Sequence, residues 1–155
     1  MPSKSRLPLT TDWLDYFMRM AKLCASRSKD PSTQVGAVIV APNRTVISTG
    51  YNGFPRGCKD DYFLYENREV KYQRTIHAEM NAILTAGCSL EDCSLFVWPL
   101  PPCDRCIPHI IQTGISHIIV PTIPNSSRWV GPCLEAQKMA SEANLVILTW
   151  DIDDE

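Results

Sequence analysis

The chain has 155 residues, of which 45% are hydrophobic and 21% are charged, and its formal net charge is −2. This length suits one domain with a single core, and this balance excludes an intrinsically disordered chain. Proteins that grip a nucleic-acid backbone carry a basic excess, so no long nucleic-acid partner is expected. We also expect no membrane partner and a cytoplasmic location, because the sequence shows no apolar stretch of spanning length and no secretory signal.

Turn residues and apolar periodicity predict the elements of the first part of the chain. A loose arm over residues 1–10 leads into a helix that starts at residue 10 or 11 and stops at the Lys-Asp-Pro of residues 29–31. Runs of β-branched residues predict strands over 35–40 and 45–50. Because only a short turn separates these two strands, they are predicted to be antiparallel.

The segment that follows is less regular. We expect a long loop over residues 52–74, with one helical turn over 65–72. Loops of this length are usually functional or disordered. A second helix is predicted over 76–86, with Thr75 as its N-cap and Gly87 at its end.

From there, strands and helices alternate. They are predicted over 94–98 (strand), 103–113 (helix), 116–120 (strand), 132–144 (helix) and 145–150 (strand). Pro108 lies a full turn inside its helix and predicts a kink, and the acidic tail over 151–155 is expected to be solvated. Helices of crossover length between the last three strands predict parallel pairing. The chain is therefore predicted to be one α/β domain of three layers, with helices flanking a mixed sheet of five strands.

Two short motifs stand at the starts of predicted helices, His-Ala-Glu at residues 77–79 and Pro-Cys-Asp-Arg-Cys at residues 102–106. The positive end of a helix dipole favours thiolate over thiol. One imidazole and two thiolates are good ligands for Zn²⁺, and three protein ligands leave the fourth position to water. His77, Cys103 and Cys106 are therefore the candidate ligands of one catalytic zinc ion per chain.

Glu79 follows His77 by two residues and is the candidate catalytic residue. On the first turn of the same helix, its carboxylate would lie beside the metal. There it can accept a proton from bound water and pass that proton to a substrate. Together the two motifs match the signature of the zinc-dependent nucleobase deaminases.

A structural zinc site is the alternative interpretation. It would need a fourth Cys or His ligand, and His109, His117 and Cys93 are available. His109 is the obvious rival, because it follows Cys106 by three residues. Such a site would staple a binding module without enzymatic activity, and it would explain neither Glu79 nor the paired helix starts.

Four segments of the chain resemble the deoxycytidylate deaminase family and occur in the family's order. They are residues 27–37, 50–58, 77–83 and 102–106. Within them, Gly-Tyr-Asn-Gly-Phe-Pro and His-Ala-Glu-Met-Asn-Ala-Ile point to this branch of the cytidine deaminase-like superfamily. The resemblance implies the cytidine deaminase-like fold, hydrolysis of dCMP to dUMP and ammonia for thymidylate synthesis, and a homo-oligomer, with a hexamer favoured. A 5-modified dCMP, dCTP or a nucleoside stays open as the substrate.

The resemblance also implies roles for individual residues. The zinc ligands and Glu79, as the proton shuttle, keep the roles argued above. Asn52 matches the asparagine that binds a sugar hydroxyl in related deaminases. Ala78 would donate its backbone N–H to the pyrimidine carbonyl.

A regulatory site is a further implication of the resemblance, because many members are activated by dCTP and inhibited by dTTP. The residues implied for this site are Gly50, Tyr51, Asn52 and Gly53. A nucleoside triphosphate effector would bring Mg²⁺ with it.

Several cationic side chains near these segments could hold the 5′-phosphate of a nucleotide. The candidates are Arg27, Lys29, Arg56, Lys59 and Arg128. Arg binds a phosphate bidentately and Lys binds it as a point charge, whereas each of these residues could instead be a solvated surface charge. Trp129, next to Arg128, could stack on the base or the sugar or simply anchor its loop.

Overall fold

The computed structural model of the chain describes residues 9–122 and 134–153. The helices are α1 (Thr11–Ala25), α2 (Tyr62–Glu66), α3 (Arg68–Arg74), α4 (Ala78–Ala86), α5 (Cys106–Thr113) and α6 (Leu134–Glu142). The strands are β1 (Gly36–Val40), β2 (Val46–Tyr51), β3 (Ser94–Trp98), β4 (His117–Val120) and β5 (Val146–Thr149). Most of the predicted N-terminal arm lies outside the described residues. Within the described ranges, no helix has the length and apolar character needed to cross a membrane.

The strands form one mixed sheet in the order β2-β1-β3-β4-β5. β1 is antiparallel to both β2 and β3, whereas β3, β4 and β5 run parallel. β1 reads Gly-Ala-Val-Ile-Val and is buried along its whole length, as a central strand covered on both faces should be. The predicted α/β class, the mixed five-stranded sheet and both pairing directions are confirmed.

Helices cover both faces of the sheet. Because side chains alternate along a strand, β1 contributes to two separate apolar clusters. Val38 and Val40 pack in one cluster with Phe17 of α1. Ile39 packs in the other with Ile107 of α5, in a cluster that also includes residues of α4 and α6. The predicted arrangement of three layers is therefore correct.

The predicted long loop over residues 52–74 contains two short helices, α2 and α3. Asn67 separates them, and its Oδ1 accepts a hydrogen bond of 3.2 Å from the N–H of Val70 in α3. The ring of Phe54 stacks on that of Tyr65 in α2, with the ring centroids 3.9 Å apart. Helices this short are marginal by propensity alone, so the cap and the tertiary contact stabilise them.

α4 begins two residues later than predicted, at Ala78, with His77 as its N-cap. The reason is a tertiary contact. Ile76 and Gly53 exchange two backbone hydrogen bonds of 2.8 and 3.2 Å, so Ile76 belongs to an isolated bridge rather than to the helix. Thr75, the predicted N-cap, instead ends α3.

The acidic tail is packed where it leaves the sheet. Thr122 donates its N–H and its hydroxyl to the carboxylate of Asp151, at 2.8 and 2.7 Å. Ile152 packs against the apolar cluster that contains Phe17 of α1. The expectation that the tail is solvated agrees with the exposure of Asp151, whereas Ile152 is only partly exposed because it packs on a cluster that is distant in the sequence.

Gly50 of β2 lies against α4, the helix that carries the His-Ala-Glu motif. A Cβ at this position would collide with the backbone of Ala78 and Ala82, which cannot move aside as a flexible side chain could. We expect Gly50→Ala to lower the free energy of unfolding by about 1–3 kcal/mol, as overpacking does. Chemical denaturation measures this. In the control Gly53→Ala, the new Cβ would meet its nearest neighbour at 3.7 Å, so equal losses would contradict the packing argument.

Candidate functional site

The sheet topology brings three loops to one end of the central strands. Gly36, at the start of β1, is paired with Trp98 at the end of β3 and with Tyr51 at the end of β2. The loop before β1 and the loops after β2 and β3 therefore meet there, beside the N-terminus of α4. In open α/β sheets, ligands bind in crevices of this kind.

The three candidate zinc ligands lie together at this end. Sγ of Cys103 is 3.3 Å from Nδ1 of His77 and 3.4 Å from Sγ of Cys106. Sγ of Cys106 is 3.4 Å from the same nitrogen. Tetrahedral zinc, with Zn–S of about 2.3 Å and Zn–N of about 2.0 Å, needs roughly 3.5–3.8 Å between such atoms. The donor set therefore fits one Zn²⁺ ion after small movements.

The start of α5 holds the two cysteines. Cys106 is the first residue of the helix, and Cys103 precedes it in a turn, so the helix starts three residues later than predicted. The carbonyl of Cys103 accepts the N–H groups of Cys106 and Ile107, at 3.0 and 3.2 Å. Pro108 thus falls in the first turn, where a backbone N–H has no partner within the helix. The reason for expecting a kink at Pro108 disappears.

The cluster favours a thiolate. The hydrogen bond with Cys106, followed by the contact with the His77 ring, lowers the pKa of the Cys103 thiol to about 4. The Cys103 sulfur, together with burial, raises the pKa of Cys106. The hydrogen bond with Cys103 also raises the pKa of His77. The thiolate is the form of cysteine that binds a metal, so this cluster already presents a metal ligand at neutral pH.

Glu79, the second residue of α4, lies beside the ligand cluster. It is 3% exposed and lines a cavity of about 170 Å³ together with His77 and Cys103. Burial raises the pKa of the Glu79 carboxyl, and a backbone hydrogen bond partly opposes this effect. A buried carboxyl with a raised pKa, next to a metal site, is suited to proton transfer.

Asn52 and Ala78 line the same cavity. Oδ1 of Asn52 accepts a hydrogen bond of 2.9 Å from the N–H of Val35. Its Nδ2 donates to the carbonyl of Thr33, also at 2.9 Å. The side chain is therefore fixed by the backbone of the loop before β1, and Oδ1 has a second lone pair for a ligand.

Among the described residues that line this cavity, neither Arg27 nor Lys29 is found, contrary to expectation. Both are exposed, and Lys29 pairs with Asp60 at 2.8 Å instead. Nearness in sequence to the motif segments does not place these side chains in the cavity, because a pairing with a distant loop decides where Lys29 lies. The predictions for Arg128 and Trp129 fall outside the described residues.

A second cavity, of about 300 Å³, lies along the segment predicted to bind an effector. The residues of that segment that line it are Gly50, Tyr51 and Gly53. Asn52 lines the first cavity instead, so one short segment serves both cavities. Arg56 lines the second cavity, whereas Lys59 is exposed and lines neither of the two.

Sequence reasoning missed Lys71 and Asp30, which both line the first cavity. Nζ of Lys71 lies 3.2 Å from Oδ1 of Asp30, and both side chains are largely buried. Lys71 belongs to the segment that was predicted to be mostly loop, where no motif or periodicity marked it. Only the tertiary pairing between α3 and the loop after α1 reveals it.

The structural zinc alternative finds no fourth ligand at this cluster among the residues that the structure describes. Nδ1 of His109 lies 2.8 Å from the carbonyl oxygen of Arg105. His117 is buried in β4, beside the Ser116 hydroxyl. Cys93 packs in the apolar core. A zinc ion held by these three residues would keep one coordination position for water, and His77 and Cys103 both line the cavity.

Comparison with known proteins agrees with this geometry. Residues 11–122 match the family described as the cytidine and deoxycytidylate deaminase zinc-binding region. The chain belongs to this deaminase family. The matched range includes the histidine and both cysteines of the cluster.

Relatives and solved structures extend the deaminase match. A protein of Aliivibrio fischeri described as an uncharacterized deaminase is 46% identical, over 92% of this chain and 95% of its own length. The deoxycytidylate deaminase of Mus musculus is 45% identical over 70% of this chain, and the match spans 64% of the mouse protein. The crystal structure of dCMP deaminase from cyanophage S-TIM5, in complex with dCMP and dUMP, is 18% identical. It superimposes with a TM-score of 0.69, over 92% of this chain and 99% of that chain, which confirms the deaminase fold.

Proposed function

We propose that this chain hydrolyses dCMP to dUMP and ammonia. The observation that carries the proposal is the cavity, whose wall holds His77 and Cys103 of the three clustered metal-ligand residues and, beside them, the buried Glu79 carboxyl. A structural zinc site needs neither an open cavity nor a buried acid. A relative named deoxycytidylate deaminase, at 45% identity, supports dCMP as the substrate.

His77, Cys103 and Cys106 would hold the zinc ion. Two thiolates and one imidazole balance the charge of Zn²⁺, so the ion can sit in a largely buried pocket. Zinc bound there supplies Lewis acidity, which lowers the pKa of coordinated water to about 7. The short distances between the three donor atoms support this assignment.

Glu79 would move the protons of the reaction. Its carboxylate accepts the proton released as water adds to C4 of the cytosine ring and delivers it to N3. Glu79 then takes the proton of the new C4 hydroxyl and gives it to the exocyclic amine, which leaves as ammonia while the oxygen on C4 becomes the carbonyl of dUMP. One water is consumed and one ammonia is released, so the reaction balances without an oxidant or reductant.

Asn52 and Ala78 would orient the substrate. Asn52 Oδ1 accepts a hydrogen bond from the N–H of Val35, and its second lone pair can accept a hydrogen bond from a sugar hydroxyl. Ala78 is the first residue of α4, so its N–H has no acceptor within the helix and can donate to the pyrimidine carbonyl.

The second cavity supports an effector site for dCTP and dTTP. Arg56 in its wall suits a phosphate, and a triphosphate effector would bring Mg²⁺. Because Asn52 lines the first cavity and its neighbours Tyr51 and Gly53 line the second, occupation of one cavity can alter the other. A cytoplasmic location agrees with thiolate ligands that need a reducing compartment.

The homo-oligomer, with a hexamer favoured, stays a prediction, and sedimentation velocity would measure the number of chains in the assembly.

We expect kcat/KM for dCMP to exceed that for deoxycytidine by about two to four decades, because two charge-assisted hydrogen bonds to a phosphate supply this range. The measurement is ammonia release from dCMP, 5-methyl-dCMP, dCTP, deoxycytidine and cytosine, each with and without dCTP, dTTP and Mg²⁺. Equal values for dCMP and deoxycytidine would favour a nucleoside deaminase. No turnover of any substrate would favour the zinc-stapled binding module.

A further inference from the structure

Lys71 of α3 is a buried cation in the wall of the first cavity. It is 8% exposed, and it is the only lysine or arginine among the described residues that line the cavity. Its Nζ lies 3.2 Å from Oδ1 of Asp30 and 3.2 Å from Oγ of Ser32. Lysine is almost never buried unless it is paired, and Asp30 supplies the pairing carboxylate that keeps this ammonium group in the cavity wall.

The surroundings of Lys71 hold it in place. Oδ1 of Asp30 also accepts the N–H groups of Ser32 and Thr33, at 2.8 and 3.2 Å. These backbone donors already satisfy much of the negative charge of the carboxylate. An ammonium group has three N–H donors, of which the contacts with Asp30 and Ser32 use two. One donor of Lys71, whose Nζ also lies 5.9 Å from the centroid of the Tyr72 ring, and the hydroxyl proton of Ser32 therefore remain for a ligand in the cavity.

A series of contacts links Lys71 to the site of the reaction. Nδ2 of Asn52 lies 3.5 Å from Oδ2 of Asp30, and Asp30 in turn contacts Lys71. The reacting base would lie at Glu79 and the sugar at Asn52. The next group along a nucleotide is the 5′-phosphate, and the first cationic group along this series, one contact beyond Asp30, is Lys71.

We propose that Lys71, with the Ser32 hydroxyl, binds the 5′-phosphate of the substrate and thereby selects a nucleotide over a nucleoside. This inference rests on the proposed function. In this role Lys71 replaces Lys29, which its sequence position predicts as a phosphate ligand. The Lys29 side chain is 52% exposed and is paired with Asp60. A largely buried ammonium group is screened less by solvent than an exposed one and so discriminates more strongly.

The test compares dCMP with deoxycytidine in the zinc-loaded full chain. We expect Lys71→Gln to lower the ratio of their kcat/KM values by about 10–100-fold, the effect of losing one charge-assisted hydrogen bond. Lys71→Arg should restore most of the ratio. Inorganic phosphate should compete with dCMP in the unmodified protein and compete more weakly in Lys71→Gln. The matched control is Lys138→Gln, on the exposed face of α6, which should leave the ratio unchanged.

A purely structural role for Lys71, pinning α3 to the loop after α1, predicts something different. It predicts equal losses for both substrates, and that result would overturn the proposal. If Lys71→Gln does not fold, Ser32→Ala decides, because Ser32 is exposed and its replacement spares the core. A fall of about 3–10-fold in the ratio supports the phosphate site, and an unchanged ratio overturns it. Failure of the proposed function itself would show separately, as absence of a preference for dCMP in the unmodified protein.

Discussion

Glu79→Gln is expected to lower kcat for dCMP by at least about 10²–10⁴-fold, the range typical of a general acid–base group. The amide keeps the size of the side chain but cannot accept and return a proton. A group used both to activate water and to assist the departure of ammonia should lie at the top of this range. Zinc content and thermal unfolding should stay close to those of the unmodified chain, because Glu79 is not among the three clustered ligands.

Glu135→Gln is the matched control for Glu79→Gln. Each glutamate is the second residue of its helix, so the two changes remove the same charge from the same helical position. Glu135 is exposed on α6, so its replacement should leave turnover unchanged. Should Glu79→Gln also turn over dCMP at the normal rate, the proton shuttle would have to be another group or the zinc site would be structural.

The metal cluster is the part of the site that could be predicted most fully. Thiolate and imidazole chemistry restricts which side chains bind zinc, and the two motifs supply such side chains in a short spacing. The structure brings His77, Cys103 and Cys106 together. The starts of both helices were nevertheless predicted too early. A bridge between Ile76 and Gly53 shortens α4, and such a contact between distant segments leaves no local pattern.

The polar end of the cavity could not be predicted in the same way. Lys71, Asp30 and Asn52 come from three separate segments, and sequence spacing does not show that they meet. Nearness to a motif pointed to Lys29, whose partner Asp60 lies outside the cavity wall. Cationic side chains occur on every protein surface, so their identity carries little information until burial and pairing are known.

Cys106→Ala is expected to remove the metal and the activity together. Cys106 is buried at the first position of α5, and its sulfur lies 3.4 Å from both of the other ligand atoms. Even partners that only orient a ligand contribute about 10–100-fold to metal affinity, so loss of a ligand should cost more than about 100-fold. Zinc per chain, measured by elemental analysis after dialysis, should fall close to zero, and dCMP turnover should fall with it.

Cys93→Ala is the matched control, since Cys93 is equally buried but packs only in the apolar core. The loss of its sulfur should lower the free energy of unfolding by about 1 kcal/mol through a small cavity. Its zinc content and its kcat should not change. A Cys106→Ala protein that kept both its zinc and its full activity would place the metal elsewhere. The cavity beside Glu79 would then no longer explain the reaction, because the ion that activates the water and the carboxyl that accepts its proton must lie beside the same water molecule.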